Sequence, residues 1–543
     1  MPAKSAGSPQ RPAGVRASTR VAGLEVPLGD LLFDEGGLRL GFEICEDAWV
    51  AQRPGGALAK RGLDLILNPS ASHFAFGKHA VRERLVNEGA RAFGVAYLYA
   101  NLLGNEAGRV IYDGGALVAQ GERILARGPR FSFGDHSLAA AVVDVDATRT
   151  VQARNSSFEP DFGADEDRVR VAFSFPARVP EPEAAPAPDP YGSKEEECTR
   201  AVSLALFDYL RKSRSEGFVV SLSGGCDSTV VATLCAMMVE LGVQELGAER
   251  FLARLRHVRG LAQAQTPREM VGRLLTCVYQ ATRNSTAVTR EAARDVAGAL
   301  GAQLLELDVD AMVAGYSSMV AKALGRPFTW EKDDLALQNI QARSRGPGVW
   351  MIANAKNALL LATSNRSEVA VGYATMDGDT CGGLSPIAGI DKAYLRRYLV
   401  WLEQQGPLGL KPIPALAAVT RQAPTAELRP TDQGQTDEAD LMPYSILDVV
   451  ERAAIKDKQT PLEIFRRLRA AQPGVAPRQL ASWIERFFAL WCRNQWKRER
   501  YAPSFHLDDE SLDPRGWCRF PILCSGFEAE LAELRHAAES EKP

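Results

Sequence analysis

The chain has 543 residues, a net charge of −3, and Lys and Arg spread along its length, which allows two or three domains with full cores and marks out no nucleic-acid surface. Its nine cysteines lie at irregular spacings with no CxxC pair, giving neither a zinc site nor a disulfide framework. No uninterrupted apolar run is expected to cross a membrane and the N-terminus lacks the apolar segment of a secretory signal, so a cytoplasmic protein is expected.

Residues 1–20 are rich in Pro, Ala, Ser, Gly and Arg with almost nothing to bury, and a disordered tail is predicted. A first domain spans 21–174, where short apolar strands alternate with amphipathic helices. Strands are predicted over 38–45, 63–70, 95–100, 116–118 and 138–145, the last two antiparallel, with a helix over 81–93. The strand at 38–45 ends in Cys45, with Glu46 and Asp47 just beyond. The Pro/Ala/Glu-rich stretch 175–190 holds neither ladder nor helix and is read as a linker.

A second domain spans 191–524. Ser193 is predicted to open a helix running to 212, with Glu195, Glu196 and Glu197 in its first turn. Residues 218–222 are an apolar strand, followed by Ser223-Gly224-Gly225-Cys226-Asp227-Ser228 and an apolar helix. A strand, a Gly-Gly turn and a helix start together aim backbone N–H groups at an anion. Ser223 and Ser228 add hydroxyl donors, and Asp227 offers a carboxylate for a magnesium ion bridging phosphates. Residues 238–265 read as an Arg-rich helical insertion. Strands at 274–279 and 303–307 around a helix at 286–300 complete a βαβαβ unit and hence a parallel sheet. Asn284-Ser285-Thr286 falls where such folds bind nucleotides. The polar Gly/Pro-bearing stretch 429–435 suits a mobile lid, and 525–543 reads as a polar helical tail.

The SGGxDS segment at 223–228 resembles the PP-loop of ATP pyrophosphatases, and not a Walker A loop. Gly41 to Trp49 (GFEICEDAW) with Asn68-Pro69-Ser70 resembles the nitrilase-type amidase domain of glutamine-dependent NAD⁺ synthetases, as does Val26-Pro27-Leu28-Gly29. Leu337–Arg343 resembles that family's ENxQAR segment, with Gln338 where the family has Glu. Thr363–Glu368 with Gly372–Thr375, Pro424–Leu428, Gln435–Glu438 and Asn494–Arg498 resemble its further blocks.

The resemblance implies a partial nitrilase-like αββα domain followed by a Rossmann-like PP-loop domain, α/β throughout. It implies Cys45 as glutaminase nucleophile, Ser72 and Lys78 as glutamine contacts, and Ser223, Gly224, Gly225, Asp227, Ser228, Thr363, Lys392 and Thr425 as ATP contacts. Asn339, Arg343, Glu368, Tyr373, Thr375 and Lys497 map onto deamido-NAD⁺ contacts, and Asp227 and Glu368 onto a magnesium site. The implied reaction is ATP-dependent amidation of deamido-NAD⁺ by way of an acyl-adenylate, with ammonia released from glutamine, in a homo-oligomer. Nitrilase-type sites place a Glu and then a Lys ahead of the Cys. Before Cys45 the only lysine is Lys4, preceded by Met1, Pro2 and Ala3, so these two groups are not expected from residues 1–44, and the half-sheet is expected to have an open edge. The alternative is an ammonia-only synthetase whose first domain is an oligomerisation module.

Overall fold

The computed structural model describes residues 17–29, 31–105, 108–155, 158–161, 168–176, 186–422, 427–430, 437–516 and 518–540. The chain divides into two compact units, 1–106 with 110–194, and 107–109 with 195–543.

The first unit opens with an antiparallel hairpin of β1 (Ala17–Val21) and β2 (Leu24–Leu28), so residues 17–20, expected to be part of a disordered tail, are in a strand. Its main sheet has seven strands. In chain order these are β3 (Leu32–Glu35), β4 (Leu38–Phe42), β5 (Leu65–Ser70), β6 (Ala96–Asn101), β9 (Leu117–Gln120), β10 (Arg123–Arg127) and β11 (Arg168–Val171). The short pair β7 (Leu103–Asn105) and β8 (Ile111–Asp113) stands apart from it. The sheet order is β10-β9-β6-β5-β4-β3-β11, with β4, β5 and β6 parallel and β9 antiparallel to β6. Ile66, Val86, Ala90, Tyr97, Tyr99 and Leu117 are buried in its core, where the helix Lys78–Phe93 packs on β6 and β9. An open edge was expected of this sheet; among the described residues β3 covers β4 and β11 covers β3, so the edge strands are β11 and β10.

Two sequence expectations are corrected in this unit. β4 stops at Phe42, and Cys45 begins a 3-10 turn, Cys45–Trp49, instead of ending the strand. Residues 138–144 form no strand. Asp144 instead accepts the Ala147 N–H at 3.0 Å and caps the helix Val145–Arg154, a local side-chain cap that outcompetes the weak apolar alternation before it.

A buried ion network sets one test of this unit. Arg82 is fully buried, pairs with buried Asp113 at 2.6 Å and donates to the carbonyls of Ser72 (2.9 Å) and His73 (2.8 Å). Arg130 holds the other Asp113 oxygen at 3.1 Å. Breaking a buried pair leaves its partner charge desolvated, so Arg82→Met is expected to cost about 3 kcal/mol in denaturant unfolding. A change below about 1 kcal/mol would show the network to be dispensable.

The second unit is built on a parallel sheet in the order β14-β13-β12-β15. Its strands are β12 (Phe218–Ser221), β13 (Leu275–Ala281), β14 (Gln303–Asp308) and β15 (Leu359–Leu361). Strand order reverses between β12 and β15, and ligand crevices of open α/β sheets lie outside the strand C-termini at such a reversal. The helix Cys226–Leu246 follows β12. By length and composition alone it is apolar enough to cross a membrane, contrary to the expectation of no such run. It is nevertheless largely buried, packing on β12, β13 and the helix Ala287–Leu300. The insertion expected from 238 begins inside this helix, which runs to Leu246 before the separate helix Ala248–Arg254.

The C-terminal part is a helical layer of Tyr444–Glu451, Pro461–Ala471, Pro477–Arg493 and Glu528–Ser540. Leu531, Leu534 and Ala538 are buried in it, so the segment expected as a polar tail is an amphipathic helix belonging to this core.

Candidate active site

In the second unit the loop after β12 is held by its own hydroxyls. The Ser223 N–H donates to Ser228 Oγ at 3.2 Å, the Gly225 N–H donates to Ser223 Oγ at 3.2 Å, and Ser228 Oγ donates to the Gly225 carbonyl at 3.2 Å. Gly224 has φ +80°, and a Cβ there would lie 2.1 Å from the Thr289 carbonyl oxygen. No other residue fits that approach. Gly225 caps the helix Cys226–Leu246, so Asp227 sits in its first turn.

After β15 the chain passes through Thr363 to Asn365, whose Oδ1 accepts the Glu368 N–H at 2.9 Å and starts the helix Arg366–Val371. Asp391 likewise caps the helix Lys392–Gln404 by accepting the Tyr394 N–H at 2.7 Å. These two caps fix the backbones of Glu368 and Lys392. The Lys392 ammonium donates to Asp227 and lies 3.4 Å from Glu368, with the Tyr444 ring 5.7 Å away.

These groups line one cavity of about 810 Å³. Ser223, Gly224, Gly225, Asp227, Ser228, Thr363 and Lys392 all face it, as do Asn339, Glu368, Tyr373, Thr375 and Lys497. Thr375 Oγ1 donates to Asn339 Oδ1 at 2.7 Å, and Lys497 donates to the carbonyls of Gly372 (2.8 Å) and Ala374 (3.0 Å). Burial pushes the Lys497 ammonium below its ordinary value. Arg343 is not in this cavity. It lines a neighbouring one of about 570 Å³, which Asn339 shares, and donates Nε to the Met376 carbonyl at 3.0 Å. Gln338 Nε2 donates to Asp334 at 2.9 Å. Thr425 lies outside the described residues, as do 431–435 of the expected lid.

Asp437 was not singled out in the sequence, yet it lines the cavity beside Asp227, Glu368 and Lys392. Burial, reinforced by Asp227 and by Asp437 and opposed by Lys392, pushes the Glu368 carboxyl up to about 8. Burial likewise pushes Asp437 up to about 6. Among the described residues, Asp227 Oδ1 and Asp437 Oδ1 are buried oxygens without a hydrogen-bond partner. Three carboxylates share one ammonium, with orphaned oxygens at the cavity wall, and hard oxygen ligands in that number suit a divalent cation such as magnesium.

This cluster predicts a pH dependence. The folded values of Glu368 and Asp437 lie above the ordinary 4.5 and 3.8, so the stability they contribute is present at low pH and is lost as pH rises through 6 and 8. Without ligand, the unfolding midpoint is expected to fall from about pH 5.5 to about pH 8.5, and Glu368→Gln is expected to flatten that slope. A midpoint that rises over this range would contradict the assignment.

In the first unit Cys45 sits past the C-terminal end of β4 with φ +51° and its side chain half-buried. The turn is fixed by its neighbours. Asp47 Oδ2 accepts the Ile44 N–H at 3.0 Å. Fully buried Glu43 accepts from Arg53 (2.6 Å), from the Tyr97 hydroxyl (2.6 Å) and from the Gly55 N–H (2.8 Å). Asn68 on β5 donates to the same Tyr97 oxygen at 3.0 Å, so the segment leading from β4 to the cysteine is tied to both β5 and β6. Ser72 is buried, its N–H donating to Asn101 at 2.8 Å and its Oγ accepting from Arg82 at 3.3 Å. Lys78, first in its helix, is 3.2 Å from His73 Nε2 and 5.8 Å from the Trp49 ring centre, at the far end of the Cys45 turn.

Against known proteins, the family model described as NAD synthase matches residues 198–499. The glutamine-dependent NAD(+) synthetase of Homo sapiens is 31% identical over 527 residues, 92% of this chain and 74% of that protein. The enzyme of the same name from Saccharomyces cerevisiae is 30% identical over 538 residues, with the same two coverages of 92% and 74%. The crystal structure of a glutamine-dependent NAD(+) synthetase from Cytophaga hutchinsonii superposes with a TM-score of 0.76 at 39% identity, covering 96% of this chain and 78% of that one.

Proposed function

From the premise that this chain belongs to the family of glutamine-dependent NAD⁺ synthetases, a family of ligases, we propose that it amidates deamido-NAD⁺ to NAD⁺ at the expense of ATP with glutamine as nitrogen donor. The observation that carries the proposal is the single cavity lined by the glycine loop, the Asp227–Lys392–Glu368 cluster and the Asn339–Thr375 pair. The likeness covers the first unit as well as the second, which supports glutamine use over the ammonia-only alternative.

A carboxylate becomes an amide only after its oxygen is made a leaving group. On our reading the nicotinate carboxylate of deamido-NAD⁺ attacks the α-phosphorus of ATP, pyrophosphate leaves, and an acyl-adenylate forms. The backbone N–H of Gly224 and the helix N-terminus after the loop receive the pyrophosphate charge, while the Gly225 N–H holds the loop through Ser223 Oγ. Lys392, held between Asp227 and Glu368, is poised to turn toward phosphate oxygens. Asp227, Glu368 and Asp437 would hold magnesium, which when bound neutralises phosphate charge as a Lewis acid. Asn339, Tyr373, Thr375 and Lys497 would position deamido-NAD⁺. Ammonia then attacks the acyl carbon and expels AMP.

In the first unit the Cys45 thiolate would attack the side-chain amide of glutamine, with Ser72 and Lys78 as glutamine contacts, the amide nitrogen taking up a proton and leaving as ammonia. Water would then hydrolyse the glutamyl thioester to glutamate and restore the thiol. The test is steady-state NAD⁺ formation from deamido-NAD⁺ and ATP with glutamine or with ammonium. Product with glutamine supports the whole reading, and absence of product with both donors would overturn it.

A further inference from the structure

The long helix Trp330–Lys356 presents a stripe of Gln338, Ala342, Arg345 and Val349 to the main cavity, spaced three or four residues apart as one helical face requires. Arg343 is two residues earlier, about 200° around the axis, and lines the other cavity. The helix thus sends its two neighbouring arginines to different places, and Arg345 is the one that enters the main cavity.

Three other cations on that wall are engaged: Lys392 holds two carboxylates, Lys497 donates to two carbonyls, and Arg396 faces Glu438 at 3.8 Å. Arg397 is exposed to water and lies over the Tyr394 ring, so it carries no desolvation cost. Arg345 makes no hydrogen bond or ion pair among the described residues, and its buried Nε has no partner. A desolvated guanidinium N–H without an acceptor is costly, and the cost is offset when a ligand brings the acceptor. Burial depresses the Arg345 guanidinium, while Asp379, Tyr279 and Glu427 are near enough to favour its charge without bonding to it. Glu427 is occupied by the hydroxyls of Thr286 (2.7 Å) and Thr289 (2.9 Å), and the carbonyl of that same Thr289 closes on Gly224. Arg345 therefore shares its electrostatic surroundings with the glycine loop.

We infer that Arg345 is a direct substrate contact, its fork of N–H donors engaging the non-bridging oxygens of the phosphate that remains with adenosine when pyrophosphate departs. This rests on the proposed adenylating function. A planar guanidinium matches a pair of phosphate oxygens, which an ammonium does not. A single contact would then serve ATP, the acyl-adenylate and AMP alike.

The experiment measures binding of AMP and of adenosine to the full chain, for wild type, Arg345→Gln and Arg345→Lys, with unfolding midpoints recorded for each. Arg345→Gln is expected to weaken AMP at least about tenfold and leave adenosine unchanged, with Arg345→Lys between. In turnover, KM for ATP should rise while KM for deamido-NAD⁺ holds. Equal weakening of AMP and adenosine, or no change in either, would overturn the assignment. So would a loss confined to the KM for deamido-NAD⁺, which would place the guanidinium on a carboxylate or phosphate of the dinucleotide. If wild type forms no NAD⁺ with either nitrogen donor, the adenylating function fails first, whatever the variants do.

Discussion

Asp227→Asn is expected to lower NAD⁺ formation by about 10³-fold or more with glutamine and with ammonium alike, at an unchanged or raised unfolding midpoint. The two halves of this expectation have one cause. Asp227 is crowded against Glu368 and Asp437, with Lys392 as shared counter-charge, and one of its oxygens is buried without a partner. An amide of the same shape removes a repelling charge, so the folded chain loses little and gains some relief. The same change removes one of the three carboxylates that surround Lys392 in the cavity, and with it charge that would hold a cation against a leaving pyrophosphate. Steady-state rates with both donors, beside thermal unfolding, test the pair of claims. A rate within tenfold of wild type would remove Asp227 from the chemistry. A large fall in midpoint would make the rate loss structural.

Cys45→Ala is expected to abolish glutamine-supported NAD⁺ formation and to leave ammonium-supported formation within about twofold. The thiol is half-buried at the start of a 3-10 turn, and the turn is fixed by Asp47 and Glu43 and not by sulfur, so its loss should not disturb the fold. Without sulfur no thioester forms. Equal loss with both donors would mean that the first unit acts on the second through structure. Retained glutamine activity would mean that another group carries the glutaminase step.

Much of the candidate site was legible because it is local. Ser223 to Ser228 needs only six consecutive residues between a strand and a helix, and the hydroxyl-laced loop follows from them. Thr363 and Glu368 came from the resemblance of their block, and the structure adds that Asn365 caps the helix whose first turn carries Glu368. What escaped depends on direction in three dimensions. The resemblance pointed to Arg343, which lines the second cavity together with Asn339, and gave no sign of Arg345, which the same helix brings into the first. The spacing 338, 342, 345, 349 held that information, yet only a known cavity says which face matters. Asp437 was visible as part of a polar block, and its role beside Glu368 arises from chain segments some seventy residues apart. In the first unit the apolar residues 138–143 suggested a strand, and the cap at Asp144 decided otherwise. At the C-terminus, charged residues hid the apolar face of Glu528–Ser540.

The reversal of strand order has a consequence for how the molecule is made. β12 and β15 pair directly, Phe218 beside Leu359, so the crevice between them closes a loop of about 140 residues whose entropy must be overcome before the contact returns anything. Every shorter-range element of the second unit, including the β12–β13 pair, can form first. The nucleotide cavity is then among the last features to exist during folding. On the proposed function, ATP would have nothing to bind in a partly folded chain, and its binding would draw the population toward the finished state.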